Sequence, residues 1–438
     1  MNDFPNSVKE TLLSLIRAIA ESPDLYVKKP GKDFTRDRKL TFENVMLLII
    51  HMGGNSIYNE LLESQGLDAN TATTSAFVQQ RDKILHFAFE FLLREFTKSH
   101  TYERRFMGYR LFAFDGSDLP IATNPDDPDT YYNTGSGRKG YNLLHLNAAY
   151  DLLNRVYSDI CVQPGKCQNE NKALCDIVGR SEIEGNVIVI CDRSYESYNN
   201  FAHIENRGWH YVIRVKDIVS RCGILEGLGL RLSGEFDVRV RRILTKKLTN
   251  EIKAQPDVYK HISSNSTFDF LDRQTNLFYP ISFRVVRIML ENGTYESVIT
   301  NLDELAFPPS VIKKLYGMRW GIETSFRELK FTVGLTSFHA RKREYIVQEV
   351  FARVIMYNFT EIITSYVVIS KTDCKYLHRV NFTVAVFVCK CFLRLRDNAH
   401  PPDVEALIRK NTLPVRPGRS NVRKLRNQMA VSFLYRVA

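Results

Sequence analysis

Nowhere in these 438 residues does an apolar run approach the ~20 needed to cross a bilayer as a helix. The stretch Val45-Met46-Leu47-Leu48-Ile49-Ile50 is too short and reads as a buried helix. The opening Met1-Asn2-Asp3-Phe4-Pro5 lacks the basic and apolar regions of a signal peptide. The eight cysteines lack the pairing of a structural metal site. Cys161, Cys167 and Cys175 are loosely spaced, and Cys389 and Cys391 have one residue between them rather than two. These absences point to a cytoplasmic protein with reduced thiols and no membrane partner. No internal repeat or low-complexity tract is evident.

What is present is an ordinary globular composition, 44% hydrophobic and 25% charged, with a formal net charge of +11. The length suits two or three domains. The charge is uneven: Cys391 to Ala438 carries ten Lys/Arg against three Asp/Glu, about +7 in 48 residues. Such an excess favours a polyanionic partner, of which nucleic acid is the commonest, and the alternative is a solvated basic tail.

Residues 1–105 read as helical: Val8 to Ala20, Phe42 to Ile50 and Ala76 to Phe96 carry apolar residues at helical spacing. Thr73-Thr74-Ser75 offers N-cap hydroxyls to a helix presenting Gln79, Gln80, Arg81 and Lys83. Those side chains suit DNA phosphates or base edges, and equally the wet face of a bundle.

From Arg110 the texture changes. Leu111-Phe112-Ala113-Phe114 reads as a strand ending on Asp115-Gly116-Ser117-Asp118. Asn142 to Tyr150 and Arg155 to Val162 form a hairpin, and Asn169 to Arg180 a helix. Asn186 to Cys191 is apolar enough for a strand buried on both faces and stops on Asp192. A helix at Tyr198 to Arg207 and a strand at Trp209 to Val215 follow. Residues 216–300 read as a β-rich insertion, with Phe236 to Ile243 and Ile281 to Met289 alternating well. Helices resume from Pro309 and recur at Val347 to Ile369 and Asn381 to Leu395.

Residues 316–330 are the most informative. At about 100° per residue, Tyr316, Arg319, Glu323 and Lys330 fall within an arc of about 60° on one helix. Met318, Ile322, Phe326 and Leu329 share a neighbouring, buriable arc. An acid among cations suits gripping a metal and a phosphate together. Asp115 and Asp192 each close an apolar strand, at the carboxyl edge where open α/β sheets place ligands. One such residue alone is often only a turn or cap. Three carboxylates from two strands and a helix can bridge two divalent ions about 3.5–4 Å apart, and hard oxygen ligands favour Mg²⁺ or Mn²⁺ over zinc.

The chain resembles the DDE transposases of cut-and-paste bacterial insertion sequences, in the group marked by Y-x2-R-x3-E-x6-K. Tyr316, Arg319, Glu323 and Lys330 match that signature at every position. The strand-Asp-Gly-Ser segment at Asp115 and Asp192-Arg193-x-Tyr195 resemble the first and second acid motifs, and the likeness spans roughly residues 70–370. It implies a ribonuclease-H-like mixed sheet (106–370) with the β-rich insertion at 216–300. A helical DNA-binding region (1–105) and a basic, helical DNA-binding and dimerisation region (371–438) would flank it. Asp115, Asp192 and Glu323 would be the catalytic, metal-binding triad, holding two Mg²⁺ with Mn²⁺ able to substitute. Tyr316, Arg319, Lys330 and Arg193 would contact DNA. The implied activity is nicking of the terminal inverted repeats, a hairpin intermediate, and joining of 3′-OH ends to target DNA by a dimer in a synaptic complex. The implied setting is the bacterial cytoplasm, at the nucleoid.

One departure stands out. Relatives that form hairpins stack a tryptophan of the insertion on a flipped base, but Trp209 and Trp320 both lie outside 216–300. Tyr295 is the nearest aromatic substitute. Trp320 reads as a core residue and is left outside the site. Two other readings compete: a catalytically silent DNA-binding repressor, and a plain metal-dependent nuclease. The tail Arg416 to Arg426 reads as a DNA contact or a disordered solubilising end.

Overall fold

The computed structural model describes residues 2–415 apart from 37, 136–138, 222, 273, 368, 370–375 and 396–400. Five helices come first: α1 (Asp3–Glu21), α2 (Phe42–His51), α3 (Ile57–Ser64), α4 (Thr74–Arg81) and α5 (Phe87–Lys98). The expected continuous helix from Ala76 to Phe96 is therefore two helices. Between them Ile84 forms a bridge with Val27, which pulls the chain out of helical geometry.

Next come β1 (Arg110–Ile121), β2 (Tyr131–Tyr132), β3 (Tyr141–Asp151), β4 (Val156–Pro164), α6 (Glu170–Arg180), β5 (Val187–Cys191), α7 (Tyr198–Asn206) and β6 (His210–Val215). Residues 216–300 supply β7 (Phe236–Thr245), α8 (Asn250–Ala254), β8 (Tyr259–His261), β9 (Tyr279–Met289) and β10 (Tyr295–Thr300). The remainder is α9 (Pro309–Met318), α10 (Trp320–Glu328), α11 (Arg343–Tyr366), β11 (His378–Val380), α12 (Phe382–Arg394), α13 (Val404–Lys410) and β12 (Thr412–Pro414).

Ten strands form one mixed sheet in the order β2-β3-β1-β5-β6-β10-β9-β7-β8, with β4 also on β3. Strands β4, β3 and β1 are antiparallel neighbours, and β1, β5 and β6 run parallel. That is a ribonuclease-H-like core, so the fold is the mixed α/β class anticipated. The strands of 216–300 form no sheet of their own. β10 pairs antiparallel with β6, and β9 and β7 continue outward from it. Strand β5, whose residues Val187 to Cys191 are all buried, accordingly sits near the middle of the widened sheet.

Helix α11 is the spine. From Tyr345 to Thr364 it is buried almost throughout, and α1, α2, α5, α12 and β4 pack around it. One apolar cluster accordingly joins the N-terminal helices (Leu12, Val45, Phe89), the sheet (Leu119, Leu146, Ile160) and the C-terminal helices (Ile355, Val386, Ile408). Arg81 belongs to this interior. It is 2% exposed, with Nη1 2.8 Å from Glu349 Oε1 and Nε 2.8 Å from Gln348 Oε1. Neither reading of Arg81 as a DNA-facing or a solvated side chain fits. A guanidinium so deep requires a charged partner, and α11 provides it. No helix among the described residues is long and apolar enough to cross a membrane. The basic stretch Arg416 to Arg426 lies outside the described residues.

Candidate active site

The site grows from one register. Parallel β1 and β5 pair through Phe114↔Cys191, so Asp115 and Asp192 follow side by side at the carboxyl edge of β5. Strand β1 does not end at Asp115 as expected. It runs on to Ile121 because β3 keeps pairing with it, Asp115 opposite Ala148 and Asp118 opposite His145. Asp115 therefore sits where β1 outlives its parallel partner. Asp192 leaves its strand and caps the short turn Arg193–Tyr195, accepting from Ser194 N at 2.8 Å and from Ser194 Oγ at 2.7 Å.

Burial raises the Asp115 carboxyl to about 6, and the charges of Asp192 and Glu170 push the same way. The Gly116 N–H and Arg319 act against them. A carboxylate so placed disfavours its own charge until a cation approaches.

The helix carrying the other signature residues is less regular than expected. It breaks at Arg319, where Arg319 N bonds Tyr316 O at 3.1 Å and Ile322 N bonds Arg319 O at 3.1 Å, a tight turn between α9 and α10. Residues Leu329–Val333 then widen into a π turn, a form frequent at functional sites, and Gly334 at φ 98° ends it. Ile322, Phe326 and Leu329 are buried as the spacing foretells. Gly321 allows the close approach, since a Cβ there would lie 2.8 Å from Leu152 Cδ2.

These irregularities lay the helix along β1. Arg319 Nη2 is 2.8 Å from Glu323 Oε1, and Nη1 is 3.6 Å from Asp115 Oδ2. Further on, Lys330 donates to the Asp118 carbonyl at 2.8 Å, and its burial lowers its pKa. The two cations expected to clamp phosphate are thus both engaged with the protein. Among the described residues no three acids, histidines or cysteines gather as a ready-made metal cage. The guanidinium of Arg319 stands between the first and third acids instead. The donor set still suits a hard divalent ion: Asp115 is a half-buried carboxyl whose cationic partner is the Arg319 guanidinium at 3.6 Å, and Asp192 and Glu323 offer further oxygens.

The other expected site residues are scattered around this edge. Tyr316 is only 7% exposed and belongs to the apolar cluster of Leu111, Ile190 and Ile312, so little of its ring faces solvent. Tyr295 opens β10, whose pairing with β6 puts it beyond the same sheet edge as Asp192. The Arg287 guanidinium covers one face of its ring, 3.9 Å from the centroid. Arg193 is exposed and lines a cleft of about 560 Å³ with Tyr198, Lys216, Lys260 and His261. Trp320, read as core, is 56% exposed, with the Arg319 guanidinium 5.0 Å from its ring.

Sequence reasoning missed Asp118, His145, Glu170 and Ser194, which adjoin the acids. His145 Nδ1 is 2.8 Å from Asp118 Oδ1 and its Nε2 is 3.1 Å from Glu170 Oε1. The alternation of β1 against β3 could have flagged His145, whereas nothing local marks Glu170.

The family model for the transposase DDE domain matches residues 107–359, more than half of the chain. The chain belongs to the transposase DDE-domain family. The matched segment holds Asp115, Asp192 and Glu323 together with the whole ten-stranded sheet. No curated protein matches this DDE-family sequence. Among solved structures, one similar to it is the cryo-EM structure of a piggyBac transposase synaptic complex with hairpin DNA. The TM-score is 0.44 and the identity 10%, over 95% of this chain and 87% of that one.

Proposed function

We propose that this DDE-family protein is an active DNA transposase. It would bind the terminal inverted repeats of an insertion sequence, cleave them by metal-dependent hydrolysis, and join the 3′-OH ends to target DNA. The register that sets Asp115 beside Asp192, with Glu323 held to the same edge through Arg319, supports the reading. All three acids and the basic partners are kept, which a silent repressor would not require.

Asp115, Asp192 and Glu323 would hold two Mg²⁺, with Mn²⁺ able to substitute. When bound, the ions would lower the pKa of the attacking water or hydroxyl and steady the departing oxygen of the phosphodiester. Arg319 has two roles in this reading. Before metal arrives it neutralises the facing acids, and afterwards it is freed to meet phosphate as a bidentate donor. Lys330 adds positive charge at the same edge. Arg193 with Lys216 and Lys260 would guide the DNA backbone along the neighbouring cleft. Exposed Trp320 offers a ring for stacking beside Glu323. Tyr295 remains the aromatic for a flipped base in a hairpin route, with the Arg287 guanidinium on one face of its ring. The N-terminal helices, and two copies paired through the C-terminal region, would complete a synaptic complex in a bacterial nucleoid.

The test is incubation with DNA carrying the element's own ends, with and without Mg²⁺, resolved on denaturing gels. Metal-dependent cleavage that disappears in Asp115→Ala, Asp192→Ala and Glu323→Ala supports the proposal. End binding without cleavage would instead indicate a repressor, and cutting of arbitrary DNA a general nuclease.

A further inference from the structure

Beside the acids, on the α6 side of β1, lies a chain of polar side chains that the proposed chemistry does not itself use. Gly116 makes room for it. A Cβ at that position would stand 2.3 Å from Glu170 Oε1 and 2.3 Å from His145 Nε2, so the two side chains meet directly over the glycine. From His145 the contacts run both ways. One arm passes from Nδ1 to Asp118, whose carbonyl receives Lys330. The other passes from Nε2 to Glu170, whose Oε2 lies 2.8 Å from Ser194 Oγ, and Ser194 holds Asp192 by both its N–H and its hydroxyl.

We propose that His145, Glu170 and Ser194 are positioning residues that set the orientation of Asp192 and the seat of Lys330, tuning the affinity of the site for its divalent ions. The inference rests on the transposase reading above.

Several observations carry it. His145 is buried with a carboxylate on each ring nitrogen, an arrangement satisfied when both nitrogens donate. Burial works against its charge, but the hydrogen bonds to Asp118 and Glu170 outweigh it and raise the ring to about 9. The imidazolium thus neutralises two acids close to the site that would otherwise compete for a cation. Ser194 has one hydroxyl proton for two carboxylates. When it turns to Glu170, Asp192 keeps the Ser194 N–H and has lone pairs free for a metal. Glu170 is fixed in turn, because it opens α6 next to Asn169, whose side chain caps that helix at 2.9 Å from Lys172 N. Partners of metal-ligating carboxylates generally hold about 10–100-fold of metal affinity or activity.

The experiment measures Mn²⁺ binding to the complex of protein with uncleaved end DNA, from the electron paramagnetic resonance signal of free Mn²⁺. Ser194→Ala, Glu170→Gln and His145→Gln should each weaken binding about tenfold. Ser194→Thr, which keeps the hydroxyl, should restore it. The Ser194→Ala/Glu170→Gln pair should be no weaker than the worse single variant, because the residues act in series. Wild-type Mn²⁺ affinity in Ser194→Ala, a surface change that leaves the core intact, would overturn the proposal, as would additive losses in the pair. Wild-type protein that fails to cut its end DNA would instead sink the transposase reading beneath it.

Discussion

The Arg319 guanidinium is 2.8 Å from the Glu323 carboxylate one helical turn away, and the same group reaches Asp115 on the neighbouring strand. It sits 7% exposed with Nε lacking a partner, so it is held by its two acids and by the ring of Trp320. A cation in that position does electrostatically part of what divalent ions would do.

Replacing Arg319 with Ala should therefore leave Asp115 and Glu323 facing each other without compensation. We expect a lower melting temperature without metal, and a larger upward shift on adding Mn²⁺ than the wild type shows. Differential scanning calorimetry with and without Mn²⁺ checks this. An equal metal-induced shift in both proteins would refute it.

Asp115 predicts a pH signature. Its folded pKa, about 6, lies above the ordinary carboxyl value near 3.8, so folding favours the protonated form. That stabilisation is complete below about pH 4 and is lost as pH rises through 6. Asp115→Asn should then be more stable than wild type at pH 8 by about 1–3 kcal/mol, with little gain at pH 4. Urea denaturation without divalent metal measures it, and a difference that does not change with pH would rule it out.

Gly116 should tolerate nothing larger. Gly116→Ala drives a methyl into Glu170 and His145, and we expect end cleavage to fall at least about 100-fold with folding kept. Cleavage near the wild-type rate would mean the two side chains step aside freely.

Arg81 and Glu349 form a buried ion pair between α4 and α11, which holds the Glu349 carboxyl far below its usual range despite its burial. Its contribution is present above about pH 4.5 and is lost as pH falls through the depressed value. Arg81→Ala should cost about 3–5 kcal/mol at pH 7, whereas Arg81→Met with Glu349→Leu should cost far less. Equal losses in the two variants, read from chemical denaturation, would contradict this.

Trp320→Ala should leave unfolding stability within about 0.5 kcal/mol of wild type while weakening the affinity for end DNA several-fold. Unchanged affinity in a binding titration would remove the ring from the DNA interface.

Local chemistry in the sequence determined much of this. The motif formed by Tyr316, Arg319, Glu323 and Lys330, with two acids in or just after apolar strands, carried the resemblance to the family, because residue identity and spacing are local and survive the break at Arg319 and the π turn that packing imposes. The helix at Glu170 to Arg180 and the buried strand ending on Asp192 were legible for the same reason. Only the tertiary structure decided that β10 pairs with β6 and so carries residues 216–300 into the main sheet, that Arg81 is sunk against Glu349, and that Trp320 faces outward. It alone seats Arg319 between Asp115 and Glu323 and joins His145 to Glu170 across Gly116. Those facts depend on which faces meet across tens to hundreds of residues. Desolvation there, rather than any local spacing, chooses each charge its partner.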